Sequence, residues 1–239
     1  MTEILSVSKL NKKFGGVTVA NDIDFTLHAG TMHCLIGPNG AGKSTFFRLI
    51  LGEHAPDSGT ILFRGADITR LRSFERIRRG ISVKFQVPGI FKALSVRQNL
   101  DVAFQHHLHG HNLSSTVKRV VEFTNLEAEV ETPAGALSHG QQQWLEIGMA
   151  VGVEPTLLLL DEPTAGMSPD ETRKTGEMLH DLNQRGITIL AVEHDMAFVE
   201  QIATQVTVLH FGRIFAEGTI AEIIDHPGVQ DIYLGGSDE

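Results

Sequence analysis

A single cysteine, Cys34, stands in 239 residues. With one thiol no intramolecular disulfide can form, and a reducing compartment is favoured. Its place in the apolar run 32–36 marks it as a buried strand thiol. No uninterrupted apolar stretch reaches the roughly 18–20 residues of a membrane-spanning helix. The nearest candidate, 147–160, is broken by Glu154 and Pro155. The start, Met1-Thr2-Glu3-Ile4-Leu5, lacks the basic and then apolar pattern of a signal peptide. Basic charge is also scarce: 20 Lys and Arg against 29 Asp and Glu leave a net charge of -9, which argues against general binding to nucleic acid phosphates. Neither an internal repeat nor a low-complexity linker is present. What remains is ordinary globular composition, 41% hydrophobic and 21% charged, enough for one large domain or one domain carrying a subdomain.

Alternation at 4–10 and 23–27 predicts antiparallel strands joined by a turn at Gly15-Gly16. The run 32–36 reads as a buried strand, followed by a helix from Lys43 to about Leu51. A turn at Pro56-Asp57-Ser58-Gly59 leads to a strand at 60–63. Another strand at 82–85 ends at Gln86, where Pro88 and Gly89 break the pattern. From about 95 to 153 the spacing is helical, with Ser95 as a cap, a second helix near 115–125 and a third opening after Gly140. The rest alternates: strand 157–161, helix 169–185, strand 188–192, helix 196–203, strand 206–210. Such alternation predicts a parallel sheet flanked by helices. Residues 214–216 and a last helix near 220–225 close the fold.

Gly37-Pro38-Asn39-Gly40-Ala41-Gly42-Lys43-Ser44 matches the Walker A phosphate-loop pattern. Glycines at 37, 40 and 42 let backbone N–H groups face phosphates without Cβ obstruction, at the positive end of the next helix. Lys43 is expected to neutralise β/γ-phosphates, and Ser44 to offer a hydroxyl to Mg2+. In 157–161 an apolar strand delivers Asp161, expected to hold Mg2+ mostly through water, and Glu162, positioned to polarise a water. Between these motifs lies Leu137-Ser138-His139-Gly140-Gln141-Gln142. Ser138 and Gln141 have the spacing of a capping box. A serine hydroxyl and free N–H groups at a helix start also make a second anion site.

Together these motifs resemble those of ATP-binding cassette (ABC) ATPases, and the resemblance covers essentially the whole chain. It implies an α/β cassette: a RecA-like P-loop core with an antiparallel β subdomain and an inserted helical subdomain. The division implied is one domain over 1–239, with 1–86 and 156–239 as nucleotide-binding core and 87–155 as helical signature subdomain. The nucleotide contacts implied are Phe14 against adenine, then Gly37, Asn39, Gly40, Gly42, Lys43, Ser44 and Thr45. Ser138, Gly140 and Gln141 would grip the γ-phosphate held by a second copy, giving a head-to-tail dimer. Glu162, His194 and Gln86 are the implied catalytic residues, and Ser44, Gln86 and Asp161 the implied metal ligands, with ATP and Mg2+ bound. Two departures stand out. The D-loop reads Ala165-Gly166-Met167-Ser168, without the usual aspartate and with Asp170 displaced, and His139 stands where glycine is more usual.

Within the family the chain is similar to ATP-binding subunits of bacterial importers for branched-chain amino acids and urea. Lys84-Phe85-Gln86, Ala165-Gly166-Met167, Val192-Glu193-His194-Asp195-Met196 and Tyr233-Leu234-Gly235 carry this resemblance. Trp144-Leu145-Glu146-Ile147-Gly148-Met149 points to the urea branch. The implied partners are transmembrane permease subunits, an identical or homologous second ATP-binding subunit and, indirectly, a periplasmic solute-binding protein, with no nucleic acid. The implied location is peripheral, at the cytoplasmic face of the inner membrane. Rival readings are a soluble ABC ATPase without a membrane partner, a P-loop kinase, and a nucleotide-dependent scaffold. Three features are expected to be structural: His106-His107-Leu108-His109-Gly110-His111 as a solvated interhelical loop, Arg70 to Arg79 as a solvated helix face, and Trp144 as a packing residue.

Overall fold

The computed structural model describes residues 2–86, 89–106 and 108–234. Val87, Pro88, His107 and Gly235, on which parts of the sequence reading fall, lie outside the described residues. Strands β1 (Glu3–Phe14) and β2 (Val17–His28) form a hairpin about Gly15-Gly16 and are longer than alternation alone predicts. Pairing of Lys12 with Ala20, Lys13 with Thr18 and Phe14 with Val17 extends them through a polar stretch with register shifts. With β4 (Ser58–Phe63) and β5 (Ala66–Asp67) they make a sheet of order β2-β1-β4-β5.

A second sheet runs β10-β9-β3-β8-β7-β6. It comprises β3 (Met32–Ile36), β6 (Ile81–Lys84), β7 (Leu157–Asp161), β8 (Thr188–Val192), β9 (Gln205–His210) and β10 (Arg213–Gly218). Five strands are parallel, as expected, and β10 joins antiparallel to β9. Every residue of β3 and β8 is buried, which is why those segments are almost wholly apolar: both faces are covered. On one face α1 (Lys43–Leu51) and the antiparallel sheet bury Phe25, Phe46, Phe47 and Leu159. On the other, α5 (His139–Val151), α6 (Pro169–Gln184) and α7 (Met196–Ile202) bury Trp144, Leu179, Phe198 and Leu160. Each fully buried Leu or Phe contributes about 1.5–3 kcal/mol relative to exposure.

A third core, Leu100, Phe104, Val117, Val120 and Leu145, joins α3 (Val96–Phe104), α4 (Gly110–Phe123) and α5. Ser95 caps α3 as expected, its hydroxyl accepting from the Gln98 N–H. Helix α4 begins five residues earlier than the spacing suggests. Leu113 packs against that core and carries the helix back through poor helix formers, so the histidine-rich stretch is only partly a loop. His109 is the N-cap residue of α4 and His111 lies in its first turn. Among the described residues no group of three His, Cys, Asp or Glu side chains is arranged to hold a metal ion. Also among them, no helix is long and apolar enough to cross a membrane.

The basic run departs from expectation at one position. In α2 (Ser73–Ile77) Arg76 is fully buried. Its guanidinium donates to the carbonyls of Leu49 (2.7 Å), Ile50 (2.6 Å), Thr69 (2.9 Å) and Leu71 (3.0 Å). Two of these lie in the last turn of α1, where Leu49 O also accepts the Gly52 N–H, so a cation there adds to the cap and offsets the helix dipole. Two elements close the chain: α8 (Ile220–Ile224) and α9 (Pro227–Leu234), the latter unforeseen.

Candidate nucleotide site

The phosphate loop follows β3 directly. Gly37 and Gly42 have φ of +148° and +106°, and a Cβ on either would collide with a backbone carbonyl, Leu209 O or Val19 O. Lys43 is buried at the start of α1, its ammonium donating to the carbonyls of Gly37 (2.7 Å) and Pro38 (3.0 Å). Desolvation lowers its pKa, opposed by the carboxylates of Glu162 and Asp161. Asn39, Gly40 and Ser44 are exposed and Thr45 is half-buried. Ser44, Gln86 and Asp161 line one cleft of about 390 Å³ beside the loop. A hydroxyl, an amide oxygen and a carboxylate are hard oxygen donors of the kind Mg2+ selects.

Strand β7 carries Asp161 to the rim of this cleft, where burial first and the neighbouring Glu162 second raise its pKa. Glu162 has φ +47°, a left-handed backbone uncommon for a non-glycine residue. Its N–H donates to Val192 O at 3.0 Å, so β8 anchors the turn. Its Oε2 accepts from Gln86 Nε2 at 2.9 Å, and its Oε1 lies 3.6 Å from His194 Nδ1, too far for a direct bond. The structure therefore brings Gln86, Glu162 and His194 together from three separate loops. His194 is exposed; Glu162 is largely buried.

Residues without an assigned role in the sequence reading hold this cluster. Lys84, fully buried, donates to the carbonyls of Asp161 (3.3 Å) and Glu162 (3.2 Å), and desolvation lowers its pKa. Glu193, also fully buried, accepts from Thr164 Oγ1 (2.8 Å) and the His194 N–H (3.2 Å), fastening the His194 loop to the one after β7. Glu146 of α5 accepts from the Gly89 N–H at 2.9 Å, linking that helix to the loop after Gln86. The available signal was a charged residue set in an apolar segment at 84, 146 and 193. Phe14 ends β1 and is 43% exposed, its ring edge-on to His54 at 5.0 Å and 5.3 Å from the Lys12 ammonium.

At α5 the capping box is present: Ser138 Oγ accepts from the Gln141 N–H (3.2 Å), and Gln141 Oε1 from the Ser138 N–H (3.0 Å). Gln141 Nε2 donates to Glu129 (3.0 Å), and Trp144 is buried with its indole N–H on Thr175 Oγ1 (2.9 Å). Among the described residues Ser138, His139 and Gln141 have no hydrogen bond to the phosphate loop. Ser168, where the D-loop aspartate is missing, caps α6 instead, with Glu171 closing its capping box. The displaced Asp170 is a surface partner of Arg173 (2.8 Å) and Lys174 (2.9 Å).

The model of the ABC transporter family matches residues 20–165, which include the phosphate loop, the Ser138–Gln141 turn and the end of β7. The chain belongs to the ABC transporter family. This cassette is 34% identical to the high-affinity branched-chain amino acid transport ATP-binding protein BraF of Pseudomonas aeruginosa, over 97% of the chain and 98% of that protein. Its identity to the lipopolysaccharide export system ATP-binding protein LptB of Acidithiobacillus ferridurans is 33%, over 98% of each. Among solved structures, the ADP conformation of MJ1267, an ATP-binding cassette of an ABC transporter, superposes with a TM-score of 0.89 at 30% identity, covering 98% of this chain and 100% of that one. The cassette fold and the ATP-hydrolysing activity of a transporter subunit follow from this membership.

Proposed function

We propose that this cassette powers an importer of branched-chain amino acids, urea or short amides, working as a head-to-tail dimer on permease subunits at the cytoplasmic membrane face. The convergence of Gln86, Glu162 and His194 beside the phosphate loop carries this reading of the site. The cargo class draws support from BraF and, for urea, from the 144–149 stretch. In this reading 1–86 and 156–239 hold the nucleotide, and 87–155 presents the signature to the second copy. A periplasmic binding protein selects the solute.

The Lys43 ammonium and the loop residues Gly37, Asn39, Gly40, Gly42, Ser44 and Thr45, through backbone N–H groups, bind the ATP phosphates, and Phe14 offers its exposed ring to adenine. Ser44, Asp161 and Gln86 would hold Mg2+, which would supply charge neutralisation for the phosphates when bound. Glu162 accepts a proton from the attacking water, while His194 orients that water toward the γ-phosphate. Ser138, Gly140 and Gln141 of the opposing copy close the site, so most of the barrier lowering is electrostatic.

Two measurements test this. Glu162→Gln retains ATP binding and accumulates a dimer in light scattering; a monomer at saturating ATP counts against the sandwich. Co-purification with the permease and binding subunits allows ATPase stimulation to be read across leucine, urea and acetamide. Stimulation by none of these removes the branched-chain amino acid and urea assignment and leaves the ATPase.

A further inference from the structure

The signature turn is not free in this subunit. The Ser138 hydroxyl donates to Glu171 Oε1 at 3.2 Å, while Glu171 Oε2 accepts from the N–H (2.9 Å) and hydroxyl (2.8 Å) of Ser168. The carboxylate lies so close over Gly140 that a Cβ there would collide with it. One position along, His139 Nε2 donates to Ala165 O at 2.9 Å, its ring resting on Gly166, where a Cβ would lie 3.0 Å from the ring. The two departures from the family pattern, His139 and the Ala-Gly-Met-Ser loop, thus meet each other.

We propose that Glu171 is a positioning residue that occupies the signature as a resident anion and must yield it to the partner's nucleotide. This rests on the head-to-tail reading above. Ser138 Oγ already accepts the Gln141 N–H, and its one proton is directed at Glu171. A hydroxyl has a single proton to donate, so Glu171 and an incoming γ-phosphate compete for it. The carboxylate also sits against Gly140, where the second phosphate contact is made, and like charges repel there. The backbone and hydroxyl of Ser168 hold Glu171 below the usual carboxylate range, so it remains an anion. Glu171 sets the ATP concentration at which the dimer closes.

The test uses full-length protein in the Glu162→Gln background, with dimer formation followed by light scattering across an ATP titration. Glu171→Gln keeps a residue able to close the α6 capping box and turns an amide N–H toward Ser138, freeing its proton. The half-maximal ATP concentration should fall roughly three- to tenfold, the value of one hydrogen bond exchanged. Glu171→Ala, which retains the Ser168 cap on the residue 171 N–H, should shift it in the same direction. A purely structural role gives the opposite sign, because a damaged signature needs more ATP. An unchanged or higher requirement in Glu171→Gln overturns the proposal; if that variant melts before the assay, Glu171→Ala decides. A Glu162→Gln parent that stays monomeric sinks the dimer reading and this proposal with it. A parent that dimerises without a shift on substitution sinks only this one.

Discussion

Asp161 and Glu162 are adjacent carboxylates at the end of one buried strand, and their closeness opposes ionisation of Asp161. Burial raises the Asp161 pKa and the neighbouring Glu162 adds to it, so ionised Asp161 opposes folding at neutral pH. The sign follows from that shift. A carboxyl whose folded pKa lies above its unfolded one stabilises below the unfolded value and loses this as pH rises through the folded value. Asp161→Asn should therefore raise the Tm of the nucleotide-free protein by about 2–4 °C at pH 8 and much less at pH 4.5, while abolishing Mg2+-dependent turnover. Calorimetry at the two pH values checks it. Glu193 is the complementary case: it acts through His194 and Thr164. Glu193→Ala should cut kcat about tenfold or more and leave ATP affinity, measured by fluorescent nucleotide titration, within about twofold.

At the level of elements, the reading from sequence worked where a period was present. Strands β7 and β8 fall on the expected residues because a buried parallel strand leaves a clean apolar run. Helix α5 is legible from the Ser138-to-Gln141 spacing, since the cap is a local interaction. The sequence places Arg76 on a solvated face and gives Lys84, Glu193 and Glu171 no role, because the partners that matter, the α1 carbonyls, the Asp161 and Glu162 carbonyls, Thr164 and Ser138, lie far away in the chain. Arg76 is the clearest. Its four carbonyl acceptors come from α1 and from the loop ahead of α2, so its removal loosens both. Arg76→Ala should cost about 2–4 kcal/mol in denaturant unfolding, against about 0.5 kcal/mol or less for Arg78→Ala on the exposed side. Helix α5 meets α3 at Gly152, where a Cβ would collide with the Phe104 ring. Gly152→Ala should destabilise by about 1–3 kcal/mol, and Phe104→Leu should recover part of that loss, a coupling that a double-mutant cycle reads directly.

Over the whole molecule, three buried charged side chains join segments far apart in the sequence. Lys84 ties β6 to β7, Glu193 ties the loops after β7 and β8, and Glu146 ties α5 to the segment after Gln86. A rotation of the helical segment would pull on Gly89 through Glu146 and so on the loop that carries Gln86. Glu146→Gln should preserve the fold, with a Tm within about 3 °C, yet weaken stimulation of ATPase activity by the permease more than basal activity.

The contact of Lys43 with Gly37 O and Pro38 O has one more consequence. This cation is solvated by the loop's own carbonyls in place of water. Binding a phosphate is then an exchange of partners and not the filling of an empty cradle. Nucleotide affinity is then a difference between two occupied states.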